Sequence, residues 1–473
     1  MGWRARTFGS LAVVVALVGG YLVLDAHDVV PGILTLDPPP IQPAPFPTPP
    51  GAVAAPAPSE PFSGLPDDAP IPSADAVGAL VSALTGDERL GNHTGVYVRD
   101  ALTDETLGTA LPDTGFTPAS TQKMLTGVAA MTQLDPSSRL ETKAVMIADG
   151  HLVLVGAGDM MLAAGAGNDD AVFGRAGIKT LAEQTAAAVL ATGTDSVQLS
   201  LDDTLFTGPV VSAAVPDDEF SMGFIAPVSP LAIALAVPAA PKDYEAVAVR
   251  QPDPAMSAAT VFKGALVDAG LAVAGELRRV SEPAQGTVVG SVESATILEI
   301  VEFAMQHSEN TVTEVLGRLV AVSKGLPGSL DSAIQAVKST VESVGVDLDG
   351  SVLVDLSGLG RGSLLSPRQL ASVVAATMSP EHPRLRELAL GMPIANLTGT
   401  LNDRFPAGNP ARGWARAKTG SLPSVAGLAG TVVTAENRLL VFAVVGDGMP
   451  QGGAWGARAA IDGFVGKLVG VDG

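Results

Sequence analysis

Pro118-Ala119-Ser120-Thr121-Gln122-Lys123-Met124-Leu125 is the stretch on which the reading of the chain turns. Pro118 suits an early helical position, and the residues after it read as the first turns of a helix. Positions three apart share a helix face, so the Ser120 hydroxyl has the Lys123 amine beside it. A serine is a poor nucleophile until a base takes its proton. A lysine can be that base when its surroundings lower its pKa. S-x-x-K alone is a short pattern that chance often produces, so its meaning depends on the other segments.

Composition narrows the field. The chain has 473 residues, room for more than one domain, and is 47% hydrophobic. Aromatics make up only 4% and the formal net charge is −21, which speaks against base-stacking platforms and phosphate-backbone contacts. Nucleic acid is therefore not an expected partner. There is no cysteine, which excludes disulfides, thiolate zinc sites and a cysteine nucleophile. His27, His93, His151, His307 and His382 form no H-x-x-x-H pair and sit near no G-x-S-x-G elbow; they read as surface or loop residues. No metal or cofactor is expected.

Arg4 and Arg6 precede an apolar run over residues 9–24. A basic flank and such a run form an export signal, and the positive-inside rule places the remainder outside the cytoplasm. Leu24 is large where a cleavage site wants a small residue, so over residues 1–26 an uncleaved signal-anchor in the membrane is favoured over a removed signal peptide that would leave the protein secreted. Residues 27–76 are rich in Pro and Ala and read as a semi-rigid spacer. Helical and strand patterns then lead into the Ser120 segment. From about residue 140 the texture is mixed α/β, with an Asp149-Gly150 hairpin signal, and residues 140–288 read as an inserted domain. Helical periodicity returns at Thr296 and breaks around His307-Ser308-Glu309-Asn310. Asp331 is a plausible N-cap of a later helix. The C-terminal part reads as three strands, Trp414 to Lys418, Gly427 to Val433 and Leu439 to Val445, closed by a helix over Trp455 to Val469.

Two further motifs join the first. Ser308-Glu309-Asn310 is an S-x-N in a break between helices, and Lys418-Thr419-Gly420-Ser421 is a K-T-G at a β-hairpin. S-x-x-K, S-x-N and K-T-G in this order are the triple signature of penicillin-recognising serine acyl-transfer enzymes. In that chemistry Ser120 attacks a carbonyl, Lys123 takes its proton, and Ser308 passes a proton toward the leaving amine. Asn310 binds the acyl side-chain amide and orients Lys123. Lys418 supplies positive charge, Thr419 and Ser421 bind the substrate carboxylate, and Gly420 lets a backbone approach the strand. The backbone N–H groups of Ser120 and Ser421 form the oxyanion hole. Taken singly, Ser308 and Asn310 also read as helix caps, Lys418 as an edge-strand lysine, Asp202-Asp203 as a solvated turn, and Asp355-x-Ser357-Gly358 as a loop-shaping element.

These residues resemble the class C penicillin-binding proteins, the D-alanyl-D-alanine carboxypeptidase/endopeptidase family. Val155-Gly156-Ala157-Gly158-Asp159 resembles that family's G-G-G-D, Leu201 to Phe206 its D-D-S-x-F, Ala226 to Leu231 its A-P-V-S-x-L, and Asp355 to Leu359 its D-G-S-G-L. Ala157, Leu356, Gly360 and Asp447 depart from those patterns. The resemblance covers about residues 77–465. It implies a multi-domain α/β protein: a β-lactamase/transpeptidase-like catalytic domain over 77–139 and 289–473, with a five-stranded antiparallel sheet and a helical subdomain, plus the insert. It also implies peptidoglycan stem peptides as substrate and β-lactams as ligands. A non-catalytic wall-binding protein and a β-lactamase are the alternatives.

Overall fold

A computed structural model describes residues 18–27, 29–30, 36 and 64–471, apart from 149, 239, 242 and 451. The chain divides into one unit over Met1–Ser63 and another over Gly64–Gly473. In the first, residues 18–26 are helical. No helix among the described residues is long and apolar enough to cross a membrane. Much of the apolar run and most of the expected spacer lie outside the described residues.

The larger unit begins with α1 (Ala74–Thr85), β1 (Thr94–Asp100), β2 (Thr106–Ala110) and α2 (Lys123–Gln133). There follow β3 (Arg139–Ala148), β4 (His151–Val155), β5 (Asp159–Leu162), α3 (Ile178–Leu190), β6 (Ser196–Asp202), α4 (Asp217–Met222) and β7 (Leu231–Ile233). Next come α5 (Pro254–Asp268), β8 (Ala272–Arg279), β9 (Thr287–Thr296), α6 (Ile297–His307), α7 (Asn310–Ser323) and α8 (Leu330–Ser343). The chain closes with α9 (Pro367–Ala376), α10 (Leu385–Gly391), β10 (Ala415–Leu422), β11 (Val425–Val433), β12 (Leu439–Gly446) and α11 (Ala454–Val469).

The expected five-stranded antiparallel sheet is present, in the order β10-β11-β12-β1-β2. Alternate residues of a strand face opposite sides, and here both sides are buried. Val96, Val98, Phe442 and Val444 pack with Val77 and Val81 of α1 and Ile461, Phe464 and Val465 of α11. Tyr97, Val441, Ala443 and Val445 face a second core built from α2, α6, α7, α8 and α9. That core seats α2, and with it the Ser120 segment, against the sheet.

A second sheet, ordered β8-β6-β4-β3-β9, is mixed: β4, β6 and β8 are parallel to one another, and β3 is antiparallel to β4 and β9. Its core joins Leu152, Leu154, Leu199 and Leu201 to α3 and α5. Three boundaries differ from the sequence expectation. The spacer's last residues belong to the larger unit, because Asp67 and Ala69 carbonyls accept from Arg438 Nη1 at 2.9 and 3.1 Å. Strand β9 carries the second sheet past residue 288 to Thr296, where a Thr296–Glu299 capping box starts α6. The cap of α8 is Ser329, whose hydroxyl accepts from Ser332 N, with Asp331 in the first turn.

Candidate functional site

Ser120 lies in a 3-10 turn over Ala119–Gln122 that runs directly into α2. Ala119 has φ +48° and Pro118 precedes it in the αR region, so the chain turns sharply just before the hydroxyl. The turn can lie against β10 because residue 420 is glycine. A Cβ there would stand 2.6 Å from the Pro118 carbonyl oxygen. Ser120 is partly exposed, whereas Lys123 is fully buried.

Lys123 Nζ donates to three oxygens: Ser120 Oγ at 2.8 Å, Asn310 Oδ1 at 2.6 Å and the Ser357 carbonyl at 2.7 Å. Burial pulls this amine down to about 8, against the upward pull of Asp355, Glu309 and Glu314. A lysine so placed holds an accessible neutral form at ordinary pH. Lys418 Nζ donates to Ser308 Oγ at 2.7 Å and to the Thr419 carbonyl at 3.1 Å. Burial first, and then the neighbouring Lys123 charge, press the Lys418 amine well below its ordinary value.

The break between α6 and α7 is built so that its polar side chains stay available. Ser308 ends α6 with φ +54°, in the left-handed region. Capping of α7 falls to Glu309, whose carboxylate accepts from Val312 N. Ser308 and Asn310 are thereby freed from the capping role that the sequence also allowed. Asn310 Nδ2 donates to the Phe224 carbonyl at 2.8 Å, which fixes the amide with its oxygen toward Lys123.

On β10, Thr419 and Ser421 face a groove of about 650 Å³ that also holds Ser120 and Ser308. The structure thus gathers Ser120, Lys123, Ser308, Asn310, Lys418, Thr419, Gly420 and Ser421 from three distant segments. Sequence reasoning missed several neighbours. Thr400 Oγ1 lies 2.9 Å from Thr419 Oγ1. The 212–225 segment, placed in the insert by the sequence, returns to this end of the molecule: Val215, Ile225 and Phe224 pack with Leu359 and Leu422, and Glu219 pairs with Arg361.

The glycine-rich loop both shapes itself and touches the site. Asp355 accepts from Gly358 N at 2.8 Å, Gly360 N at 2.6 Å and Gln122 Nε2 at 3.0 Å. Glu314 Oε1 accepts from Leu356 N and Ser357 N at 2.9 and 3.0 Å, and burial, reinforced by Asp355, raises its carboxyl to about 7. Together they aim the Ser357 carbonyl at Lys123. Gly358, at φ +75°, is needed because a Cβ would meet the Ala119 carbonyl oxygen at 2.0 Å. Leu356, where the family pattern has glycine, fills the space beside Gly317 and is fully buried. Asp447 accepts from Thr117 N at 2.8 Å and so braces the approach to the Ser120 turn. Asp203 pairs with Arg279, and Asp202 accepts from Thr204 N and Ala284 N. Among the described residues no group of three or more His, Asp or Glu side chains could hold a metal.

A profile of the D-Ala-D-Ala carboxypeptidase 3 (S13) family matches residues 77–240 and 231–468. A carboxypeptidase of Mycobacterium tuberculosis is 34% identical over 434 residues, which span 90% of this chain and 89% of that protein. The crystal structure of penicillin binding protein 4 from Haemophilus influenzae shares the fold, with a TM-score of 0.67 at 23% identity, over 82% of this chain and 98% of that one. The same protein in complex with a β-lactam gives a TM-score of 0.63 at 22% identity, with the same coverage.

Proposed function

The chain belongs to the D-Ala-D-Ala carboxypeptidase 3 (S13) family, and on that premise we propose that Ser120 is its acylating nucleophile and Lys123 the base. One observation carries the assignment: a fully buried amine, drawn down to about 8 by burial, stands 2.8 Å from a partly exposed hydroxyl. A base must be within hydrogen-bond reach of the proton it takes and have a pKa near the working pH.

The substrate is the D-Ala-D-Ala end of a peptidoglycan stem peptide. Ser120 Oγ attacks the penultimate D-Ala carbonyl as its proton passes to Lys123 Nζ. The oxyanion lies between the backbone N–H groups of Ser120 and Ser421. Collapse of the intermediate breaks the C–N bond. The leaving D-Ala amine takes a proton through Ser308, which Lys418 Nζ holds at 2.7 Å. Thr419 and Ser421 hydroxyls bind the leaving carboxylate on the groove face of β10, and Asn310 supports the acyl side. Water then attacks the acyl-serine and frees the shortened peptide. β-Lactams acylate the same oxygen and stay attached.

Peptide hydrolysis takes place outside the cytoplasm on this reading, with the N-terminal segment as export signal or anchor. The basic flank, the apolar run over 9–24 and the proline-rich stretch support that placement. The division into a catalytic domain and an insert is part of the same proposal, supported by the separate core of the second sheet. The test is release of D-Ala from a synthetic stem pentapeptide by the purified protein, and its loss in Ser120→Ala.

A further inference from the structure

Ser120, Ser308, Thr419 and Ser421 share their groove with a hydroxyl that none of the three motifs supplies, that of Thr400. Its Oγ1 lies 2.9 Å from Thr419 Oγ1. A single 3-10 turn over Gly399–Leu401 carries it there, on the segment that leads into β10.

That turn is held on three sides. Ala395 N donates to the Ala415 carbonyl at 2.9 Å and Ala417 N to the Pro393 carbonyl at 3.0 Å, which ties the segment to the edge of β10. Leu401 is fully buried in the core shared by the sheet, α1 and α11. Gly399, at φ +54°, lies against the end of α6, where a Cβ would stand 2.6 Å from the Gln306 carbonyl oxygen. The hydroxyl that shapes the turn is that of Thr398, which accepts from Ile394 N at 3.0 Å. The Thr400 hydroxyl is not used in this way: it meets Thr419 instead. A rigid turn thus brings a second hydroxyl to the one that the K-T-G segment already places in the groove.

The pair acquires a direction once a substrate is bound. Each threonine hydroxyl has one proton and two lone pairs, and an ionised carboxylate only accepts. When Thr419 donates to a carboxylate it can meet Thr400 only as an acceptor. We propose that Thr400 is a positioning residue for the leaving D-Ala carboxylate: its hydroxyl donates to Thr419 Oγ1 and turns the Thr419 proton toward the substrate. The proposal rests on the acyl-serine reading above. A hydroxyl that accepts one hydrogen bond is a stronger donor of the next, and the gain is greater toward a charged acceptor than toward a neutral one. The pair therefore favours a free C-terminal carboxylate over a C-terminal carboxamide. Thr400 acts through Thr419, and of the two it is Thr419 that touches the carboxylate.

The experiment measures single-turnover and steady-state cleavage of the terminal residue from a stem pentapeptide ending in D-Ala and from the same peptide ending in D-alaninamide. It uses wild type, Thr400→Val and Thr400→Ser, with fluorescent penicillin labelling in parallel. Valine keeps the shape of threonine and lacks the hydroxyl. The acid-to-amide ratio of kcat/KM should fall about three- to tenfold in Thr400→Val, the net worth of one hydrogen bond. Most of the change should lie in KM for the acid, and Thr400→Ser should restore the ratio. An equal loss on both substrates overturns the proposal, because Thr400 then serves only the shape of the site. So does an unchanged ratio, a loss that Thr400→Ser leaves in place, or a wild type that cleaves acid and amide alike. A wild type that neither labels nor releases D-Ala overturns the acyl-serine reading, and is distinguished before any variant is made.

Discussion

Lys418 Nζ donates to Ser308 Oγ at 2.7 Å, and that bond ties the inner face of a sheet strand to the break between two helices. Lys123, whose amine bonds Ser120 and Asn310, sits close enough to depress the Lys418 amine. Two buried lysines so near each other are not both charged at low cost. On the proposed mechanism the pair handles protons around Ser120, and its members should respond differently to substitution.

Lys123→Met should separate chemistry from stability. Methionine fills nearly the same volume and removes a buried amine. β-Lactam acylation should fall by about 10²–10⁴, the usual worth of a positioned base. Thermal stability should change far less than activity, because relief of the buried amine is offset by the loss of its hydrogen bonds to Asn310 Oδ1 and the Ser357 carbonyl. Stopped-flow labelling and a melting curve read the two effects.

The acylation rate should depend on pH through Lys123. Its amine is drawn down to about 8 by burial, and only the neutral form accepts the serine proton. The rate constant should rise with pH, about tenfold per unit below the midpoint, and level off above pH 8 to 9. A flat profile between pH 6 and 9 contradicts the role of Lys123 as base.

Much of this site was legible in the sequence because its chemistry lies in short local patterns. Ser120 and Lys123 meet within one helical turn, and the S-x-N and K-T-G segments each keep their residues adjacent. What the sequence hid is what depends on tertiary return. Glu309 caps α7 only because Ser308 is left-handed. Thr400 meets Thr419, and Phe224 meets Asn310, through folds of the chain with no periodic signal. Strand β8 carries no apolar alternation because its residues are largely exposed, and in β9 the half-buried residues break up the alternation.

Gly420→Ala should damage the site through the backbone. The added Cβ would lie 2.6 Å from the Pro118 carbonyl oxygen, so either β10 or the Ser120 turn must shift. The expected cost is about 1–3 kcal/mol, as for other overpacked positions, with a larger fall in acylation than in stability. Denaturant unfolding beside labelling kinetics measures both.

Asp159 gives a stability prediction with a definite sign. Burial raises its carboxyl to about 7, against a downward contribution from the Met161 N–H at 2.8 Å. A carboxyl raised above its unfolded value favours folding below the unfolded pKa of 3.8 and loses that contribution as pH rises through 7. Asp159→Asn keeps an acceptor for Met161 N and cannot ionise. Its melting temperature should match wild type near pH 4 and exceed it at pH 8. A difference that is constant across this range contradicts the raised carboxyl.

The central claim is that Ser120 carries the acyl group. Incubating the purified protein with a β-lactam, digesting it and locating the adduct by mass spectrometry tests this most directly. One added β-lactam is expected on the peptide holding Ser120, and none in Ser120→Ala. An adduct on any other residue, or labelling that survives Ser120→Ala, contradicts it.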